Sequence, residues 1–284
     1  MSDFPDYEVA LPPLGVQNKI ANFLGALDDK IELNRQMNET LEQMAMALYK
    51  HWFVDFGPFQ DGEFVESELG PIPKEFSVFR LSDYCERITD GSHWSPKEDM
   101  GDKRIATVKN MGNYSLNLSS CKTISDDDYS RLVSEGCRPQ RDDVLFSKDG
   151  TIGRVNIAMG IEDVAVLSSI AIFRAREEYS SAYLWAYLRS PATLRMIRDG
   201  YVTGSALPRV VLKDFKRAPI LLPSSFELGR FDTQIAPVIR LITKNENESA
   251  DLVTIRDYLL PRLLSGEIEL REAEETVEEA LVHG

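Results

Sequence analysis

Between positions 20 and 52, apolar or small side chains return at intervals of four and three residues: Ile20, Leu24, Leu27, Ile31, Asn34, Asn38, Leu41, Ala45, Leu48 and Trp52. That alternation is a heptad seam, a helix face suited to burial against another helix. The stretch 17–53 holds no proline, and its one glycine, Gly25, lies near the start. At 1.5 Å rise per residue it predicts a rod of roughly 50 Å, longer than most globular helices.

The far end of the chain repeats the pattern when shifted by 211 positions without a gap. Asp3-Phe4 falls on Asp214-Phe215, and Leu11-Pro12 on Leu222-Pro223. The seam falls on Phe231, Ile235, Val238, Ile242, Asn245, Ser249, Leu252, Arg256, Leu259 and Leu263. Two unrelated coiled coils would also coincide in heptads, but the polar positions match as well, Asn34 with Asn245 and Asn38 with Ser249, which favours a duplication. Asn34 and Asn38 either sit inside the seam, costing stability while fixing register, or face solvent at its edge. Pro237 and Pro261 cannot donate to the helical ladder, so the second helix is expected to be shorter or kinked.

The segment between the seams has a different character. Runs at 105–108, 144–147, 152–157, 164–172 and 218–222 read as strands, and 81–88, 181–188 and 192–197 read as helices. The expected fold class is α+β, a globular mixed domain flanked by two long helices that form an antiparallel coiled coil. With 284 residues and 43% hydrophobic content, the chain has enough apolar material for a packed core.

Charge sets a harder constraint. The net charge is −14 and the pI near 4.8, unlike the basic footprint of a protein that grips phosphates unaided. The acidity is local, however. Residues 80–220 carry 21 Lys and Arg against 19 Asp and Glu, and the flanks carry 11 against 27. Charge runs such as 61–75 and 267–279 are read as solvated surface. Cys85, Cys121 and Cys137 are odd in number and lack metal-ligand spacing, and no N-terminal signal or membrane-length apolar run is found, so a reducing cytoplasm fits best.

Three polar loops of the middle segment are candidates for contact with DNA. Thr89-Asp90-Gly91-Ser92-His93-Trp94 bends after a predicted helix; Ser92, His93 and Trp94 suit a groove, although a Trp beside Gly and Pro96 is as often a local plug. Leu145 to Val155 reads as a hairpin with a tight Asp149-Gly150 turn, which clusters Lys148, Thr151 and Arg154 near one tip. Gly150 and Gly153 match neither phosphate-loop spacing and are read as shaping the turn. Thr203, Ser205 and Arg209 lie on a third loop, and Lys109-Asn110 complete the set of candidate DNA contacts.

Catalytic patterns are missing. His51, His93 and His283 are far apart with no metal-ligand spacing, no nucleophile elbow or methylation loop is present, and Asp142-Asp143 with Lys148 lacks nuclease spacing.

Leu11-Pro-Pro-Leu-Gly-Val-Gln17, Ile20 through Asn34, and Leu48-Tyr-Lys-His-Trp-Phe53 closely resemble the central conserved region of Type I restriction enzyme specificity subunits. The hairpin at 147–155, Gly204-Ser205 leading to Leu212-Lys-Asp-Phe215, and Leu260-Pro-Arg-Leu-Leu-Ser-Gly-Glu-Ile268 resemble that family's target-recognition domain and distal conserved helix. Nearly the whole chain is covered. The family has two recognition domains, each followed by a conserved helix, and each reads half of a split site. The resemblance therefore implies the C-terminal portion of such a subunit: a remnant of a preceding recognition domain at 1–16, a conserved helix at 17–56, a recognition domain at 57–222, a second helix at 223–266, and an acidic tail at 267–284. It also implies a non-enzymatic subunit with no cofactor and no metal of its own. Its partners would be double-stranded DNA, methylation subunits bringing S-adenosylmethionine, and restriction subunits bringing ATP and Mg²⁺. A homodimer through the helices would read a palindromic split site. The competing reading is a coiled-coil tether for the methylation subunits without DNA readout of its own.

Overall fold

The computed structural model describes residues 11–283, with side chains through residue 277. Most of the segment 1–16 thus lies outside the described residues. So does the side chain of His283.

The seam produces helix α1 (Leu14–Phe53), and it is followed by the short strands β1 (Phe64–Val65), β2 (Ile72–Pro73) and β3 (Ser77–Arg80). A single helical turn, α2 (Leu81–Tyr84), leads into β4 (Cys85–Asp90). The expected helix at 81–88 is corrected here. Its apolar residues Leu81, Tyr84, Cys85 and Ile88 satisfy helical spacing, but the second half pairs antiparallel with a later strand, Ile88 opposite Phe173, and that ladder overrides local periodicity. Next come β5 (Lys103–Ala106), β6 (Lys122–Ile124), α3 (Asp126–Ser134), β7 (Val144–Ser147) and β8 (Val155–Ile157). The apolar run expected as one strand at 164–172 is two, β9 (Val164–Val166) and β10 (Ile170–Ala175), broken at Ser168-Ser169 so that each half joins a different sheet. Helices α4 (Ser181–Arg189) and α5 (Pro191–Gly200) follow, then β11 (Val202–Thr203), β12 (Arg209–Val210), the turn α6 (Leu212–Phe215) and β13 (Pro219–Leu222). The chain finishes with α7 (Ser225–Ser265) and α8 (Leu270–His283).

Packing divides the described residues into two units, 11–39 with 244–283, and 40–243. The boundaries expected at 57–222 are therefore wider, because the last third of α1 and the first part of α7 are packed into the globular unit. In that unit a four-stranded antiparallel sheet runs in the order β4-β10-β7-β8, and a three-stranded sheet, β6-β5-β9, pairs β5 and β9 in parallel. Helix α4 is buried nearly all round, from Ala182 to Leu188, and its tyrosines meet the rule that buried hydroxyls need partners. Tyr183 donates to the Leu221 carbonyl at 2.7 Å and Tyr187 to the Pro219 carbonyl at 2.8 Å. Beneath α4 lie Tyr49, Phe53 and Phe231, the Phe53 and Tyr183 rings meeting edge-on at 4.9 Å. Arg189 closes the unit on the α1 side: its guanidinium binds Glu42 at 2.9 Å and the carbonyls of Asn113 and Val155. The three cysteines are buried, and burial pushes the Cys121 thiol up to about 11.

In the other unit α1 and α7 run antiparallel, since the α7 partner number falls as the α1 number rises: Asp28 binds Arg256, and Asn38 meets Asn245. Ile20, Leu24, Leu27, Leu252, Leu259 and Leu263 form its core, each contributing roughly 1.5–3 kcal/mol when fully buried. Asn34 and Asn38 are inside the seam at 1% exposure, not at its edge. Asn245 Nδ2 donates to Asn38 Oδ1 at 2.9 Å, and Asn34 Nδ2 to Ser249 Oγ at 3.3 Å. Exchanging each residue with its counterpart 211 positions away converts one of these bonds into the other, donor onto donor and acceptor onto acceptor. A local two-fold axis thus passes between the helices at the predicted repeat.

Two expectations about this part are corrected, a shortened second helix and a solvated tail. Helix α7 has 41 residues against 40 in α1, so the prolines do not shorten it. Pro237 and Pro261 both lie on the exposed face, as do Thr233 and Asp257 one turn earlier, so the carbonyls left without a donor can be hydrated. The acidic tail is not merely solvated surface either. Residues 270–283 form α8, and its Ala273 and Val277, four residues apart, join the Ile20–Leu263 core while Glu272, Glu274 and Glu275 stay exposed.

Candidate nucleic-acid interface

The first loop leaves β4 at Asp90. Gly91 is required there: a Cβ at this position would come within 2.1 Å of the Val166 carbonyl oxygen, so a side chain would force the loop away from the sheet. Ser92 is buried, donates its backbone N–H to the Val166 carbonyl, and accepts from the Trp94 N–H at 3.0 Å. Trp94 is half-buried with the Arg131 guanidinium stacked 4.1 Å from its ring centre, which makes it the plug rather than an exposed reader. His93, between them, points outward with Nε2 at 3.5 Å from Asp90 Oδ2.

The second loop is the hairpin β7–β8, with Val144 opposite Ile157 and Phe146 opposite Val155. Its tip differs from the tight turn expected at Asp149-Gly150. The chain from Lys148 to Arg154 is a longer loop, and Asp149-Gly150 pairs with the third loop: Gly150 N–H donates to the Pro208 carbonyl at 2.9 Å and Val210 N–H to the Lys148 carbonyl at 2.8 Å. Gly150 has φ +69°, which suits glycine. Thr151 is exposed. Arg154 does not project toward a ligand; its guanidinium binds the Met111 carbonyl.

Thr203, Ser205 and Arg209 are exposed on the third loop. Lys109 is exposed, but Asn110 is buried and structural, accepting from the Thr107 N–H at 2.9 Å and donating to the Ser120 carbonyl at 2.8 Å.

His93, Lys148 and Arg209, one residue from each of three loops distant in sequence, therefore line a common open cleft of about 450 Å³. Asp90, Lys213 and Lys216 line it too. Asp90 is read from sequence only as part of the first turn, and Lys213 and Lys216 escape sequence reasoning because nothing local marks them as contacts, Lys213 being noticeable only through the Leu212–Phe215 motif. Lys148 is 2% exposed, with its ammonium 3.3 Å from Asp90 and 3.3 Å from Asp149, and Asp149 binds Arg209 Nε at 3.1 Å. The arrangement presents guanidinium, imidazole and ammonium groups at a concave surface, which suits an anionic, hydrogen-bonding ligand. Among the described residues, no group of three His, Cys, Asp or Glu side chains gathers as a metal site would need.

Comparisons with known proteins point to one family. The family model "Type I restriction modification DNA specificity domain" matches residues 1–43. The Type I restriction enzyme MjaIX specificity subunit of Methanocaldococcus jannaschii is 29% identical over 287 residues, covering 95% of this chain and 63% of the relative. Along most of its length this chain is similar to Type I specificity subunits. The HindI specificity subunit of Haemophilus influenzae is 27% identical over 315 residues, which covers 91% of this chain and 68% of that subunit. The crystal structure of the Type-I restriction-modification S subunit from M. genitalium shares the fold, with a TM-score of 0.53 at 14% identity over 88% of this chain and 61% of that one. Against the MjaIX specificity subunit, the chain spans less than two thirds of its relative's length. Among the described residues, no helix is long and apolar enough to cross a membrane.

Proposed function

We propose that this chain is a DNA sequence-recognition subunit of a Type I restriction–modification enzyme, reading one half of a split target site and docking methylation and restriction subunits. The observation that carries the reading is the convergence of His93, Lys148 and Arg209 on one cleft, from loops far apart in the chain. The similarity to specificity subunits along nearly all of the chain supports it. The exposed hydroxyls of Thr151, Thr203 and Ser205, on the two loops that pair beside the cleft, suit contacts with base edges or phosphates. The reading is non-catalytic: methyl transfer with S-adenosylmethionine and cleavage with ATP and Mg²⁺ belong to partner subunits in the cytoplasm. Partners that clamp DNA would also supply most of the phosphate contacts, of which an acidic chain makes few by itself. One recognition unit on a helix pair is compatible with a homodimer reading a palindromic split site.

The test is methylation mapping of DNA from cells that carry this chain with its methylation and restriction subunits, together with gel shifts of the purified assembly. A defined split motif, altered by Arg209→Ala, is the expected result. Binding that ignores sequence and tolerates Arg209→Ala would reject the reading and leave a tether for the methylation subunits.

A further inference from the structure

Lys148 lines the cleft with its charged group almost wholly out of solvent. Its side chain is 3% exposed, and its ammonium lies between Asp90 and Asp149. Burying an ammonium costs several kcal/mol unless charges and hydrogen bonds compensate it. Here both compensating carboxylates carry a second partner that faces the cleft. Asp149 Oδ1 takes Arg209 Nε at 3.1 Å, with the Arg209 side chain 53% exposed, and Asp90 Oδ2 faces His93 Nε2. The backbone repeats this linkage. Lys148 N–H donates to the Ser169 carbonyl at 3.0 Å, and the Lys148 carbonyl accepts from Val210, the residue after Arg209. Arg209 is thus held at main chain and side chain by the same short segment. Lys148 and Arg209 offset Asp90 and Asp149, so Lys213 and Lys216 supply the cleft's excess positive charge. A guanidinium edge beside two ammonium groups in a cleft of about 450 Å³ matches the size, charge and acceptor geometry of a phosphodiester.

We propose that this cleft seats a backbone phosphate of duplex DNA on Arg209, Lys213 and Lys216, and that buried Lys148, acting through Asp149, is the residue that positions Arg209. The proposal rests on the DNA-recognition reading above and assigns one of its contacts. Lys148 touches no DNA; its effect passes through the carboxylate.

The full chain is titrated with a short labelled duplex of mixed sequence, by fluorescence anisotropy, across a range of salt concentrations. Arg209→Ala is expected to weaken binding by about tenfold and to flatten the slope of log affinity against log salt by about 0.9. Lys148→Met should reproduce that loss, the double variant should be no worse than either single one, and Lys216→Ala should add to both. Asp149→Asn gives the sharpest arm. Removing a negative charge beside an anion would tighten binding if Arg209 needed no holding, whereas a positioning role predicts weaker binding. Should Lys148→Met fail to fold, Asp149→Asn, which leaves Lys148 paired with Asp90, carries the test alone. Tighter binding by Asp149→Asn, or additive losses for Lys148→Met and Arg209→Ala, would overturn the proposal. A wild-type chain without salt-dependent duplex binding, both alone and assembled with its methylation subunits, overturns the DNA reading itself; wild-type binding that ignores these variants overturns only the cleft.

Discussion

Glu246 lies beside the polar layer of the helix pair, with Asn38 Nδ2 at 3.4 Å from its carboxylate. Burial raises its pKa above the ordinary carboxylate value, and the Asn38 hydrogen bond offsets only part of that. The folded state therefore holds the proton more tightly than the unfolded chain does. Stability is greatest below the unfolded value, about 4.3 for glutamate, and falls as pH rises from there through the folded value. Glu246→Gln keeps an acceptor for Asn38 without the charge. It should raise Tm by roughly 2 °C at neutral pH, with the gain vanishing in acid; a gain that is constant with pH would show that desolvation of the carboxylate is not the cause. Arg189 offers the opposite case, a charge that is well paired. It binds Glu42 and two carbonyls and lies 5.0 Å from the Trp185 ring, while Glu42 also accepts from Tyr114 at 2.7 Å. Arg189→Met strands all of these acceptors and should cost about 3 kcal/mol in chemical denaturation. A loss below 1 kcal/mol would mean that Glu42 and the carbonyls find water instead.

At the scale of elements, the helix pair shows what polar residues do in a seam. Asn38→Leu alone leaves the Asn245 amide facing a methyl group, and a cost of about 1–3 kcal/mol is expected. Asn38→Leu with Asn245→Leu removes both ends of that amide pair and should recover the part of the loss it carries, the Asn38 contact with Glu246 being lost in both variants, measured as a double-mutant cycle in urea. Additive losses would mean that the two amides act independently. The seam was legible in the sequence because a period of four and three persists over nine intervals, too long for chance and independent of what lies between. The β4 segment was not, because 81, 84, 85 and 88 satisfy helical spacing equally well, and only pairing with β10 decides. The prolines misled for a related reason: sequence shows that a donor is missing but not that the orphaned carbonyl faces water. At the cleft, His93, Lys148 and Arg209 stood out as polar residues on glycine-containing loops. Asp90 and Asp149 looked like turn residues, and their role as spokes around a buried ammonium exists only once three loops meet.

For the whole molecule, the local two-fold of the helix pair raises the question of what covers each copy of the repeat. In the globular unit, Tyr49 and Phe53 are buried against Tyr183, and Trp52 packs on Phe231 at 6.2 Å. Shifted by 211, Tyr49 and Phe53 correspond to Leu260 and Leu264, which are 42% and 36% exposed. Phe231 and Trp52 correspond to Ile20 and Leu263, which are buried together with Ala273 and Val277 of α8. In the second copy, then, α8 provides part of the cover that the globular unit provides in the first. A chain ending at residue 266 would uncover Ile20, Leu259 and Leu263 beside the already exposed Leu260 and Leu264, a contiguous apolar patch of the kind that drives association. Sedimentation velocity at micromolar concentration should show the shortened chain forming dimers or larger species to a greater extent than the full chain. Ala273→Glu in the full chain should produce the same shift without truncation, because a buried carboxylate would force α8 off its seat. If both remain indistinguishable from the full chain in mass and in Tm, α8 contributes no cover, and the acidic residues around it act as solvated surface after all.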